Sequence, residues 1–328
     1  MKNFLDTPPQ IHIKIFFDYL AYLLVKSVEA VMCLIPSHDR ALGVGRFIGR
    51  AIFALSADRR NVAIENLTIA FGNERPAAEI RLLARKNFEH LGMLGVEMFR
   101  LKRWTEDELS ERLVFGGKRN FNYAFSPGRH GIFLVMAHFG SFEVNAAVNR
   151  FLGLRGNVIA TGVGNRFVDQ RILFRRGGTA GGLKVHPHRG IVRKIEDLLR
   201  DGELVGALAD QRGDDTRPVR VSFFGREVFA NGIFARFAMT TKAHVISLMN
   251  IRTPSGRYYC EWGEEIPIEN TGDVDHDVAV NCQRFHDVAE KWLRKYPEQG
   301  FWMHRKFKRK PKSRLRRALS FSRGKKPV

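Results

Sequence analysis

Gly131-Ile132-Phe133-Leu134-Val135-Met136-Ala137 is an unbroken apolar run, and it stops abruptly at His138-Phe139-Gly140-Ser141-Phe142-Glu143. A short run without polar alternation reads as a strand buried on both faces, the kind found in parallel sheets. A histidine and a carboxylate then stand just past its C-terminal end, where open α/β sheets place their ligands. Ser141 is a candidate cap for a following helix, FEVNAAVNRFL. The segment therefore reads strand, histidine, turn, acid, helix, a layout suited to a histidine base held by a carboxylate. Spacing alone carries little of this. With 11 His and 34 acids in 328 residues, an acid five residues after a histidine is expected about once by chance. The weight lies in the context: buried strand before, Gly and Ser in the turn, amphipathic helix after. The competing reading is a buried histidine satisfied by its neighbour.

Outward from this segment, apolar strand-like runs alternate with helical periodicity. Strands are expected near 156–161, 204–209, 219–225 and 244–251, with another at YYCEW. Helices are expected after Pro36, at 59–71, 76–101, 165–176, 190–201, 232–242 and 278–295. The run 204–209 ends in Asp210-Gln211, so a second strand finishes on a polar pair. Gly45 and Gly49, four apart, suit close helix packing. Asn66 and His90 read as structural, and Phe223 and Phe224 as core before acyl groove. The alternation predicts an α/β fold, a mixed, largely parallel central sheet flanked by helices.

The net charge is +20, and 12 of those charges lie between Arg305 and Val328, a stretch without acids. Such a tail suits nucleic acid, an anionic membrane or an acidic protein. The other end helps choose. Residues 11–36, IHIKIFFDYLAYLLVKSVEAVMCLIP, are long enough to span a bilayer at about 20 residues per crossing. Asp18, Lys26 and Glu29 interrupt the run, and it lacks the layout of a secretory signal. It is read as a membrane anchor helix, spanning or lying in the interface, against the alternative of a buried core helix. The arginines that follow, at 40, 46, 50, 59 and 60, would keep the large domain cytoplasmic. Three parts are thus expected: an anchor over 1–36, an α/β domain over 37–305 and a basic tail over 306–328.

Cys33, Cys260 and Cys282 have no metal-type or disulfide-framework spacing. His186 and His188 make only a weak metal pair, and no metal or other cofactor is expected. There is no GxSxG elbow, P-loop or HExxH.

The chain resembles the bacterial lipid A late acyltransferases, the lauroyl/myristoyl transferase family, within the wider glycerol-phosphate acyltransferase-like group. The resemblance rests on Asn66-Leu67 with Phe71, on Arg85-Lys86-Asn87-Phe88 with Glu97, and centrally on Ala137–Glu143 (AHFGSFE). Asp210-Gln211, Phe223-Phe224-Gly225 and Trp302-x-His304-Arg305 follow in order. Departures are Ser141-Phe142, where Asn-Trp is usual, and Gly300, where an aromatic is usual.

The resemblance implies transfer of a fatty acyl group from a thioester, on acyl carrier protein or coenzyme A, to a hydroxyl of a glycolipid such as a lipid A precursor. His138 would be the general base and Glu143 its orienting carboxylate. Arg175, with Arg171 and Arg176 near it, would bind anionic substrate groups, and Asp210 would contribute through hydrogen bonding. An anionic membrane surface is a further expected partner, and the cytoplasmic side of the cell inner membrane the expected location. The rivals are an acyltransferase for another polar lipid or lysophospholipid, and a nucleic-acid binder. The second would interleave basic and aromatic residues across a sheet face; here the charge concentrates in a tail, and no nucleic acid is expected.

Overall fold

The computed structural model describes residues 9–126, 131–160, 164–165, 167–169, 183–187, 191–210 and 219–307. Seven strands form the central sheet: β1 (Leu113–Gly116), β2 (Ile132–Met136), β3 (Gly156–Ala160), β4 (Leu183–Pro187), β5 (Leu204–Leu208), β8 (His244–Arg252) and β9 (Tyr258–Trp262). Their order is β1-β9-β8-β2-β5-β3-β4. All neighbours are parallel except β8 and β9. The mixed, mostly parallel sheet expected from the alternation is therefore present.

Why β2 is apolar throughout follows from its position between β8 and β5. Side chains alternate faces along a strand. Phe133, Val135 and Ala137 enter one core. It is shared with α3 (Ala57–Phe71), α4 (Ala77–Arg100), α8 (Val192–Arg200), α9 (Ile233–Thr241) and α10 (Val274–Lys295). Ile132, Leu134 and Met136 enter the opposite core with β1, β9, α5 (Glu106–Arg112), α6 (Lys118–Ala124) and α7 (Asn145–Phe151). Each large side chain so buried contributes about 1.5–3 kcal/mol.

Beside the sheet, β6 (Val219–Phe223) and β7 (Arg226–Ala230) form a separate hairpin. Its two turn residues, Phe224 and Gly225, both have positive φ (50° and 67°), as the type I′ form of a two-residue hairpin loop requires. The aromatic pair Phe223 and Phe224 is buried in the main core, as its base rate suggested.

At the N-terminal end, α1 (Pro9–Leu34) and α2 (His38–Leu55) lead into α3 and α4. Gly45 and Gly49 meet α4 at Gly92 and Phe88, where a Cβ would collide with backbone carbonyls, so the close packing they suggested is real. The membrane-spanning alternative for α1 is not supported: no helix among the described residues is long and apolar enough to cross a membrane. The charges at Asp18, Lys26 and Glu29 are the physical reason. The helix is also engaged by its own domain. Asn165 Nδ2 donates to the Asp18 carbonyl (2.8 Å), and Arg100 Nη1 donates to those of Met32 and Ile35 (2.6 and 2.7 Å).

Candidate active site

Two adjacent strands deliver the central pair of side chains. β2 and β5 are parallel and in register, with Met136 opposite Leu208. His138 and Asp210 each stand two residues beyond that pairing, so the register itself sets them side by side at the C-terminal edge of the sheet. Asp210 Oδ1 accepts from His138 Nδ1 (2.8 Å) and from its backbone N–H (2.9 Å). A carboxylate only accepts, so the ring proton is on Nδ1 and the basic lone pair on Nε2. Both side chains are mostly covered, 16% and 11% exposed. Burial would raise the Asp210 pKa, but the adjoining His138, together with Lys306, holds it well below the usual carboxylate range. It is an anion throughout the physiological range.

The orienting contact at Nδ1 is thus made by Asp210, whereas the sequence reading gave it to Glu143. The reason is strand register, a long-range property that spacing along the chain cannot report. Glu143 lies half-buried in a 3-10 turn, Phe142–Val144, on the same loop. Ser141 does not cap the following helix. Its Oγ instead donates to Glu97 Oε1 (3.1 Å), which ties the loop to α4. Arg171, Arg175, Arg176 and Gln211 lie outside the described residues.

Behind the loop is a wall that sequence reasoning treated only in fragments. Asn87, His90, Leu94 and Glu97 form one buried stripe of α4, at the helical spacing of three and four. His90 Nε2 donates to the Gly140 carbonyl (3.2 Å), while its Nδ1 accepts from Arg252 Nη1 (2.8 Å). Glu97 Oε1 accepts from Arg252 Nε (2.5 Å) and from the Tyr258 hydroxyl (2.7 Å). Tyr258 in turn accepts from His38 Nε2 (2.8 Å). Burial and the Arg252 charge push the His90 pKa well below its ordinary value, so this ring is neutral. Burial pulls the Arg252 pKa down, yet Glu97 outweighs it and leaves the net shift upward. Gly140 itself has φ +60°, and a Cβ there would run into the Asn250 carbonyl. The loop turns where only glycine fits.

The third wall is the C-terminal segment. Asn66 Nδ2 donates to the Trp302 and His304 carbonyls (both 2.7 Å), and Asn87 Nδ2 to those of Glu298 (3.0 Å) and Gly300 (2.5 Å). Gly140 N donates to the Gln299 carbonyl (2.8 Å). The Phe301 and Phe142 rings flank His138 at 5.8 and 5.4 Å between centroids. Asn66 and His90 are therefore structural, as read. His186 Nε2 binds Asn157 Oδ1 (2.8 Å) within the sheet, and His188 lies outside the described residues.

A half-buried imidazole with a carboxylate on one nitrogen and a lone pair on the other can take a proton from a hydroxyl. A family model described as bacterial lipid A biosynthesis acyltransferase matches residues 10–309. The chain belongs to that family. It is an acyltransferase. Among its relatives, the lipid A biosynthesis palmitoleoyltransferase of Escherichia coli (strain K12) is 26% identical over 275 residues, covering 81% of this chain and 85% of the relative. The lipid A biosynthesis lauroyltransferase of the same organism is 27% identical over 282 residues, covering 82% and 85%. A lipid A biosynthesis acyltransferase of Haemophilus influenzae is 24% identical over 300 residues, covering 89% and 91%. Asn66, Asn87, Asp210 and Phe223, from stretches that carried the resemblance and lie far apart in the chain, meet the strand-end loop or the C-terminal segment beside it. Arg252, Tyr258 and Lys306 were not singled out from sequence. Arg252 had one usable signal: a lone cation closing the apolar strand HVISLMNI.

Proposed function

We propose that this acyltransferase moves a fatty acyl chain from a thioester donor to a hydroxyl of a lipid A precursor, with His138 as general base. The observation that carries the reading is the His138–Asp210 pair at the ends of two adjacent parallel strands. An alcohol attacks a thioester poorly until its proton is removed. His138 Nε2 takes that proton as the oxygen bonds to the thioester carbonyl carbon. The tetrahedral oxyanion collapses, the carbon–sulfur bond breaks, and the imidazolium returns its proton to the departing thiolate. An ester and a free thiol remain. Asp210 orients the ring and stabilises the imidazolium. Glu143 stands on the same loop as a second carboxylate of the site. Arg171 and Arg175 supply positive charge to the oxyanion or to acceptor phosphates.

The donor is acyl carrier protein or coenzyme A, and the enzyme works on the cytoplasmic face of the cell inner membrane. Attachment is interfacial. Phe16, Phe17, Leu20, Leu24, Val31 and Leu34 are exposed on α1, and Phe47 and Leu55 on α2. Arg40, Arg46 and Arg50 are exposed beside the latter. An apolar face bordered by arginines suits an anionic bilayer surface.

The test is mass-spectrometric product analysis of the full-length protein on anionic vesicles. The vesicles carry either a lipid A precursor or a lysophospholipid, and acyl carrier protein and coenzyme A thioesters are compared. Ester formation on the lipid A precursor is expected. Turnover of the lysophospholipid alone would reassign the acceptor, and no transfer to either would sink the reading.

A further inference from the structure

The chain returns over its own active site at its C-terminal end. Residues 296–307 form a strap whose carbonyls are held by the Asn66 and Asn87 amides. Trp302 Nε1 closes the strap on itself through the Pro297 carbonyl (2.6 Å). Past Phe301 the strap carries His304 and then Lys306. The Lys306 ammonium donates to the backbone carbonyl of Asp210 and rests 3.8 Å over the face of Phe223. Phe223 is buried in the core, so this aromatic seat is rigid.

The geometry points to Lys306 as a further positioning residue of the acyl-transfer site, one that fixes the Asp210 backbone so its carboxylate stays aimed at His138. The inference rests on the reading of His138 as base. One oxygen of Asp210 takes both hydrogen bonds from His138. A small rotation of the Asp210 backbone would break both together. The ladder bond from Ala209 N to the Met136 carbonyl (2.9 Å) lies one residue short of Asp210. Lys306 secures the next carbonyl from the opposite wall. It acts through Asp210 and touches no reacting atom.

Among the described residues, the charged and titratable groups around Lys306 are Asp210, Glu290, His138, His286 and His304, with Arg59 beyond His304. Burial pulls the Lys306 pKa down to about 8, against the opposing pull of Asp210 and Glu290. The ammonium, and with it the charge-assisted bond and the contact with Phe223, is lost within an accessible alkaline range.

The experiment measures kcat and KM from pH 6 to 10 for wild type, Lys306→Met, Lys306→Arg and His138→Ala, correcting for thioester hydrolysis, with thermal melts of each. Wild-type kcat should fall on an alkaline limb near 8. Lys306→Met should lose about 10–100-fold in kcat with little change in acceptor KM, the size expected of a misaligned site, and show no such limb. Lys306→Arg should keep most of kcat and carry no limb to pH 10, because a guanidinium does not deprotonate. A folded Lys306→Met enzyme with wild-type kcat overturns the inference. So does a limb unchanged in Lys306→Arg, which decides the matter if Lys306→Met does not fold. Retained activity in His138→Ala would remove the base reading itself. Loss there, with Lys306→Met unaffected, removes Lys306 alone.

Discussion

His138 and His90 stand on opposite sides of one loop, and their partners make them different chemical objects. His138, in front, donates from Nδ1 to a carboxylate and is partly open. His90, behind, accepts at Nδ1 from a guanidinium and donates from Nε2 to the Gly140 carbonyl. It is 2% exposed. The two rings therefore hold opposite tautomers. The carboxylate gives the first the tautomer that the proposed base requires, with its proton on Nδ1. The guanidinium makes the second a neutral strut that would lose its Arg252 contact on protonation. The partner at Nδ1, rather than the residue type or the distance to an acid along the chain, assigns the role.

The largest effect should come from exchanging the two. His138→Ala is expected to lower acyl transfer by about 10²–10⁴-fold, the usual cost of losing a general base, with an unchanged melt. His90→Gln keeps a donor for Gly140 and an acceptor for Arg252, and should retain most of the activity. Asp210→Asn should approach the His138 loss, because an amide at Nδ1 no longer enforces the tautomer. If His90→Gln were dead and His138→Ala active, the division between front and back would be reversed.

The front of the site was more legible in sequence than the back, for a physical reason. A strand buried on both faces writes itself as a continuous apolar run, and the residues ending it stand out. That marked both His138 and, after LVGALA, Asp210. Their union was not legible, because it depends on β2 and β5 being neighbours in register, a long-range pairing without a local signature. The back wall is assembled from α4, β8, β9 and the C-terminal strap, and its buried polar residues are scattered among apolar ones on all four. Asn87, His90 and Glu97 do fall on one helical stripe, but polar residues on a helix stripe usually mark a solvated face. Here they face inward because Arg252, Tyr258 and main-chain carbonyls receive them. The N-terminal helix shows the opposite error: apolar content was visible, while its engagement by Arg100 and Asn165 was not.

A smaller effect on turnover and a larger one on folding should follow from breaking the back wall. Glu97 and Arg252 are 0% and 6% exposed and joined at 2.5 Å. Removing one partner strands a buried charge, at about 3–5 kcal/mol. Arg252→Met should lower stability by that order in chemical denaturation. The double variant Glu97→Gln with Arg252→Met should recover part of it, since no unpaired charge remains. A single variant as stable as wild type would mean that the pair is not what holds the loop from behind.

The effect smallest on turnover at pH 7, and the most gradual, is the response to acid, and it separates the struts from the rest. Burial is the first cause that lowers the pKa of His38, His90 and His286, to about 3 for His38 and His286. His286 donates from Nδ1 to the Cys282 carbonyl (2.9 Å) inside the core. For each ring the unfolded chain binds a proton more readily than the folded one. Below the ordinary histidine value near 6.5, the unfolded state takes up protons first and stability falls with falling pH. The slope is about 1.4 kcal/mol per pH unit for each such histidine, and the loss runs on toward pH 3. The depressed Asp210 adds the same sign lower down, through the usual carboxylate range. Chemical denaturation at pH 7, 6, 5 and 4 should show this decline, beginning near 6.5. His286→Phe should remove its own share of the slope while leaving acyl transfer at pH 7 in place. Stability flat from pH 7 to 5 would mean that these rings are not held neutral, and the contrast between strut and base would lose its electrostatic footing.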